Sequence, residues 1–264
     1  MPKVITLSKT FLQGHPRAGQ PTGFRESFEN GTKKQTIQRT DHLLGQIGSV
    51  LMKKVLNLYA CLGGNRYKWN EVADIEVTAV ELDPECAKLY QERFPDDIVV
   101  VADAHEYLLM NYKDFDFIWS SPPCPSHSRS RFARKETAAP LYLDMRLYQE
   151  VLFLDNWFAG KYVIENVIPY YQPLIAAQKR GRHLYWANFK LPFDLNERKS
   201  SIMEGKDEVN RWSKFHEFDF SRYKGNQRRD KIARNLVDFE VGKSIFERAC
   251  MIMDQDFKQG SLQF

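Results

Sequence analysis

The feature that most constrains this chain is an alternation. From Val55 onward, short apolar runs take turns with segments of helical periodicity. "VLNLYA" (Val55–Ala60), "VTAVELD" (Val77–Asp83), "DIVVVAD" (Asp97–Asp103), "DFDFIW" ending at Trp119, "KYVIENV" (Lys161–Val167) and "HLYWANFKL" (His183–Leu191) read as strands. Between them, "PECAKLYQERF" opens with proline, which suits a first helical turn. "AHEYLLMNY" follows Asp103, and Leu143, Leu147, Val151, Leu154 and Phe158 form one helical stripe. Strands separated by helices run largely parallel, because each crossover returns the chain to the same end of the sheet. The expected fold is α/β: a doubly wound, mostly parallel sheet of Rossmann-like type.

The first fifty residues break this rhythm. They are rich in Gly, Pro and polar residues and hold no long periodic segment. "ENGTKKQTIQ" (Glu29–Gln38) resembles the turn near the start of small ASCH-type (PUA-like) domains, but is far too short to be one. Residues 1–53 are therefore expected to be an N-terminal extension packed on the sheet edge. Residues 54–190 and 230–264 are expected to form the main domain, with 191–229 as an insert.

The net charge is only +4, but it is uneven. "HSRSRFARK", "QKRGR" and "KGNQRRDKIAR" concentrate Arg and Lys in loop-like segments, which favours a polyanion as partner. The four cysteines form no CxxC pair and the histidines are scattered, so neither a zinc site nor a disulfide framework is expected. The thiols fit a reducing cytoplasm. No apolar run is long enough to span a membrane, and no signal peptide opens the chain.

In open α/β sheets, ligands bind outside the carboxyl ends of the strands. Gly63 and Gly64 end the first strand and permit a tight turn, but their spacing is not that of a dinucleotide fingerprint. Glu81 ends the second strand 18 residues later, where a carboxylate can accept from both hydroxyls of a ribose. Asp103 ends the third and can accept from an adenine amino group. Either acid alone could simply begin a helix, where the dipole favours negative charge. Two of them after a Gly-rich turn point to a nucleoside cofactor. Past the fourth strand comes "SSPPCPSHSRS" (Ser120–Ser130). Pro122 and Pro123 stop the strand, which leaves Cys124 just beyond its end. The plain alternative is a turn with a half-buried thiol.

Together these segments resemble the DNA cytosine 5-methyltransferases, from about Val55 to Ala249. "LYACLGG", "AVELDPE", "ADA", "SPPCPSHS", "IENV" and "QKRGR" follow the order of that family's motifs. The resemblance implies S-adenosyl-L-methionine as cofactor, held by Tyr59, Cys61, Gly63, Gly64, Glu81, Leu82, Asp103 and Pro123. It also implies DNA as partner and a flipped-out cytosine as target. Cys124 would be the nucleophile, Glu165 the group on ring nitrogen 3, and Arg180 and Arg182 the groups on the base carbonyl and phosphate. Arg182 would also favour the thiolate. Pro122, Asn166, Val167, Ser128, Arg129 and Arg131 would meet the substrate or brace the Cys124 loop. "GKSI" would be the tenth motif and bring Lys243 and Ser244 to the cofactor. The insert would be a much reduced target-recognition region.

The chain departs from the pattern at Asn57, where the family often has an acid, and at Cys61, where it has glycine. Pro125 and His127 also differ. A tRNA cytosine methyltransferase and a catalytically silent nucleic-acid-binding relative stay open as alternatives. A monomer is expected, in the cytoplasm of a bacterial or phage-infected cell, as part of a restriction-modification or mobile-element system.

Overall fold

The computed structural model describes residues 4–6, 52–198 and 207–261. The ASCH-like stretch Glu29–Gln38 lies outside the described residues. Among these, eight strands form one sheet. In chain order they are β1 (Val4–Thr6), β2 (Lys53–Leu58), β3 (Ile75–Glu81), β4 (Ile98–Val101), β5 (Phe117–Ser120), β6 (Lys161–Val167), β7 (Gln178–Arg180) and β8 (His183–Ala187). The spatial order is β1-β4-β3-β2-β5-β6-β8-β7. All pairings from β1 to β6 are parallel, and β8 and β7 close the edge antiparallel. The helices are α1 (Pro84–Arg93), α2 (Ala104–Asn111), α3 (Arg129–Phe132), α4 (Arg146–Trp157), α5 (Glu208–His216), α6 (Arg229–Asn235) and α7 (Phe239–Ser261).

The two-residue period of the strands explains why both faces are covered. Leu56 and Leu58 of β2 point to a layer that holds Leu147, Val151 and Leu154 of α4 and Leu108 of α2. Val55 points the other way, with Phe117 and Trp119, toward Ile245, Phe246 and Ala249 of α7. Most of these side chains are fully buried, each stabilising the fold by roughly 1.5–3 kcal/mol. α1 covers β3 and β4 through Ala87 and Tyr90 against Ala79 and Val99.

Several boundaries differ from expectation. β8 stops at Ala187 rather than Leu191. Leu143 precedes α4 and Phe158 caps it, so the predicted stripe overruns the helix at both ends. β7 is too short to show a period. β1 pairs with β4, so three residues of the expected N-terminal extension belong to the sheet. Within the 191–229 segment, residues 207–229 form a small helical layer. Its Trp212, Phe218, Phe220 and Tyr223 pack on Leu62 and on Cys86 and Leu89 of α1. No described helix is long and apolar enough to cross a membrane.

Candidate active site

Parallel strands place the C-terminal ends of β2, β3, β4, β5 and β6 at one rim of the sheet. There the loops enclose an open cavity of about 950 Å³. Tyr59 and Cys61 reach it from β2, Glu81, Leu82 and Asp83 from β3, Asp103 from β4, and Pro123 and Cys124 from β5. The far wall is Gly225, Asn226 and Gln227 with Lys231, Ile232 and Asn235 of α6.

The β2 loop is tightly wound. Tyr59, Cys61 and Gly63 all have positive φ, at 55°, 47° and 68°. This conformation is uncommon for a side-chain-bearing residue and costs of order 1–3 kcal/mol each time. Gly63 needs to be glycine on two counts: its φ, and the ring of Phe94, which a Cβ would meet at 2.4 Å. Asn57, where the family it resembles often has an acid, exchanges amide bonds with Asn65 in the core.

The three acids do different work. Asp83 caps α1 and Asp103 caps α2, each accepting two backbone amides of its helix. Glu81 caps nothing. Its two oxygens accept from the Cys61 and Asp83 amides, each at 2.8 Å. Desolvation raises its carboxyl above the usual range, partly offset by those amides. The second oxygen of Asp103 pairs with Arg146 at 3.0 Å.

Beneath Tyr59 lies a polar knot that no sequence pattern announced. Glu150 of α4 is fully buried. It accepts from Tyr59 Oη at 2.6 Å, Ser120 Oγ at 2.6 Å and His105 Nδ1 at 3.0 Å. One carboxylate thus ties together the ends of β2 and β5 and the start of α2. The bond to Glu150 raises His105 above its ordinary value, against the effect of burial.

The Cys124 end is built by β5 and β6. Their register pairs Ser120 with Ile164, which sets Glu165 beside the start of the Cys124 loop. Asn166 Nδ2 donates to the Pro122 carbonyl at 2.9 Å, and its Oδ1 accepts from Val167 N. Cys124 is half-buried. Burial raises its thiol, and the nearby Glu165 carboxylate raises it further, while Lys231 acts the other way. The cation that favours the thiolate is therefore on α6; Arg182 is exposed in the β7–β8 turn. His183 Nε2 lies 3.5 Å from Glu165 Oε1.

The remaining expected residues are scattered. Ser128 caps α3, Arg129 Nε donates to Pro169 O, and Arg131 Nη2 donates to Ala139 O. Arg180 is spent on the carbonyls of Leu191 and Pro192. Gly64, Lys243 and Ser244 do not line the cavity, contrary to the expectation for "GKSI". The reason is α7, which begins at Phe239 and carries that stretch inside the helix. There Lys243 Nζ pairs with Glu71 at 2.6 Å and Ser244 Oγ donates to Leu195 O. Asn235, Gln227, Lys231, Arg146, Glu150 and His183 were missed, because each reaches the site through tertiary packing.

Residues 53–146 match the sequence profile of the family described as C-5 cytosine-specific DNA methylase. The matched segment spans a little over a third of the chain. It holds Tyr59, Glu81, Asp103 and Cys124 and ends before Glu165. No curated protein matches the chain significantly. Among solved structures, the Entamoeba histolytica methyltransferase EhMeth is 11% identical with a TM-score of 0.45, over 78% of this chain and 99% of that one. A mutant of Spodoptera frugiperda DNMT2 is 23% identical with a TM-score of 0.32, over 44% of this chain and 35% of its own. A putative DNA modification methyltransferase encoded within an E. coli prophage is 22% identical with a TM-score of 0.32, over 46% and 33%. The chain spans about a third of the length of the latter two.

The C-5 methylases use S-adenosyl-L-methionine, and the cavity fits it. A carboxylate offers about four lone-pair sites, and the Cys61 and Asp83 amides occupy only part of that capacity at Glu81. The rest suits ribose hydroxyls. Leu82 and Pro123 give apolar surface for a flat ring, and Asn226, Gln227, Lys231 and Asn235 give polar groups for a zwitterionic tail.

Proposed function

We propose that this protein methylates carbon 5 of a flipped-out cytosine in DNA through a covalent Cys124 adduct. The observation that carries the reading is the place of Cys124, which lines the cavity with the charge of Glu165 acting on it from β6, an arrangement set by the β5–β6 register and the Asn166–Pro122 bond. When bound, S-adenosyl-L-methionine supplies the methyl group.

The thiolate of Cys124 forms a bond to carbon 6 of the ring. The electron pair of the carbon 5–carbon 6 double bond is pushed toward nitrogen 3, and carbon 5 becomes nucleophilic. Glu165 in its acid form gives a proton to nitrogen 3 and so neutralises charge where it builds up. One proton serves two ends. Burial holds the thiol protonated and an ionised Glu165 adds to it; with Glu165 neutral that addition is gone, and Lys231 acts toward the thiolate. Transfer of the thiol proton to Glu165 therefore prepares both partners. After methylation, carbon 5 loses its proton to a base, the double bond re-forms, the thiolate leaves carbon 6, and nitrogen 3 returns its proton to Glu165.

A cytosine inside a duplex cannot reach this end of the cavity, so the base leaves the stack. Arg129, Arg131 and Arg134 on the loop and helix after Cys124, with Arg228 and Arg229 across the cavity, supply positive charge for the phosphates. The test is covalent trapping with 5-fluorocytosine placed in DNA and, separately, in RNA, with S-adenosyl-L-methionine added. A Cys124 adduct on DNA is expected. An adduct on RNA alone would move the substrate to a tRNA-type cytosine. No adduct on either, from protein that binds cofactor, would mark a silent relative.

A further inference from the structure

Two thiols meet inside the cofactor cavity. Cys61 and Cys86 both line it, and both pack in the cluster under the helical layer. The Cys61 thiol is the neighbour that most raises Cys86, ahead of burial. Cys61 is partly open and sits at positive φ, in the tight loop that carries Tyr59 and Gly63. Cys86 is 1% exposed in the first turn of α1, its amide held by the Asp83 carboxylate. The Cys61 amide in turn holds Glu81. The pair thus bridges the two segments whose spacing fixes the Glu81 carboxylate.

We propose that Cys61 and Cys86 are an oxidative modification site of the cofactor cavity, taking hydroperoxides as reactant and closing to a disulfide that lowers cofactor affinity. The open thiol of Cys61 attacks the peroxide O–O bond, gives the sulfenic acid and releases water from hydrogen peroxide. The Cys86 sulfur then attacks the Cys61 sulfur. The S–O bond breaks, the hydroxyl leaves with the Cys86 proton as a second water, and the S–S bond forms. Two thiols are oxidised and one peroxide is reduced. Cys86 is almost fully buried and Cys61 partly open, so the peroxide meets Cys61 first and Cys86 acts as the resolving partner. Closure draws the Cys61 loop toward α1 and moves the amide that orients Glu81. By linkage, bound cofactor shields Cys61 and slows the oxidation.

The inference rests on the cofactor reading of the cavity, so the experiment begins with S-adenosylhomocysteine titrated calorimetrically into reduced protein. Absence of binding there would sink that reading itself. Protein that binds is then treated with hydrogen peroxide, with and without S-adenosylhomocysteine, and its cysteines are mapped by non-reducing peptide mass spectrometry. A Cys61–Cys86 disulfide is expected, formed more slowly with ligand present and reversed by dithiothreitol. S-adenosylhomocysteine should bind the oxidised protein about tenfold more weakly. Cys86→Ser should stop at a Cys61 sulfenic acid trapped by dimedone, and Cys61→Gly should lose the oxidation-dependent change in affinity. Oxidation confined to Cys124, or a Cys61–Cys86 disulfide with unchanged affinity, would overturn the proposal.

Discussion

The two ends of the cavity are built to different standards of rigidity. At the cofactor end nearly every polar group has a partner: Glu81 holds two amides, Asp103 caps a helix and pairs with Arg146, and Tyr59 is pinned to a buried Glu150. At the Cys124 end burial and then Glu165 raise the thiol above its ordinary value, and the nearby arginines are turned onto loop carbonyls. A preorganised half and a half that waits for its substrate give an order of events. Under the proposed function, cofactor binding needs little rearrangement, whereas the chemistry needs proton movement. The lesson is that resting geometry at the two ends should respond differently to mutation.

The sharpest way to test that contrast is Cys124→Ser. Methyl transfer to DNA, followed with tritiated cofactor, should fall by more than about a thousandfold. Calorimetric affinity for S-adenosylhomocysteine should hardly change. A matching loss of affinity would show the two ends to be one unit. Next in size is Glu81→Ala, expected to weaken cofactor binding by about 1–3 kcal/mol, because it leaves polar groups unpaired in a partly dry site. An unchanged dissociation constant would place the ribose elsewhere.

The third effect is smaller and concerns the waiting end. Alkylation of Cys124 by iodoacetamide, followed by peptide mapping across pH, should titrate above the usual thiol value, because burial and then Glu165 raise it. Glu165→Gln removes the second cause, so the rate near neutral pH should rise, by up to about tenfold for each unit the thiol falls. A slower rate in that variant would reverse the sign of the proposed coupling.

How much of this was legible beforehand follows from the range of each interaction. Glu81 and Cys124 could be found because strand-end positions and prolines are local signals, and the strand rhythm from Val55 to Val167 gave the sheet. Glu150 could not, since it reads as one polar residue on an amphipathic helix, and its partners are 91, 30 and 45 residues away. Lys243 was misplaced for the opposite reason. A four-letter motif resemblance carries no information on where a helix begins, and α7 starting at Phe239 turns that lysine to Glu71.

The smallest expected effect lies at the preorganised end. The Glu150 bond raises His105 in the folded protein, so the stabilisation it brings is complete below the unfolded value of about 6.5. It is lost as pH rises through the folded value. Thermal melts near pH 6 and pH 8 should show a drop in wild type that is smaller in His105→Gln. Identical pH dependence in both would place the coupling elsewhere.

The helical layer of residues 207–235 has a consequence for inheritance. Tyr223 and Gln227 both donate to the Asp83 carboxylate, and Gly225 to Gln227 form part of the cavity wall. A recognition element that stood apart could be exchanged between relatives like a cassette, leaving the engine untouched. Here such an exchange would also replace a wall of the cofactor cavity and strip two donors from Asp83. With target recognition in this layer, as the family resemblance implies, any lineage that changed its target by recombining it would have had to accept a new cofactor affinity in the same step. Drift one residue at a time, on the surface that faces away from Asp83, is the route this architecture leaves open.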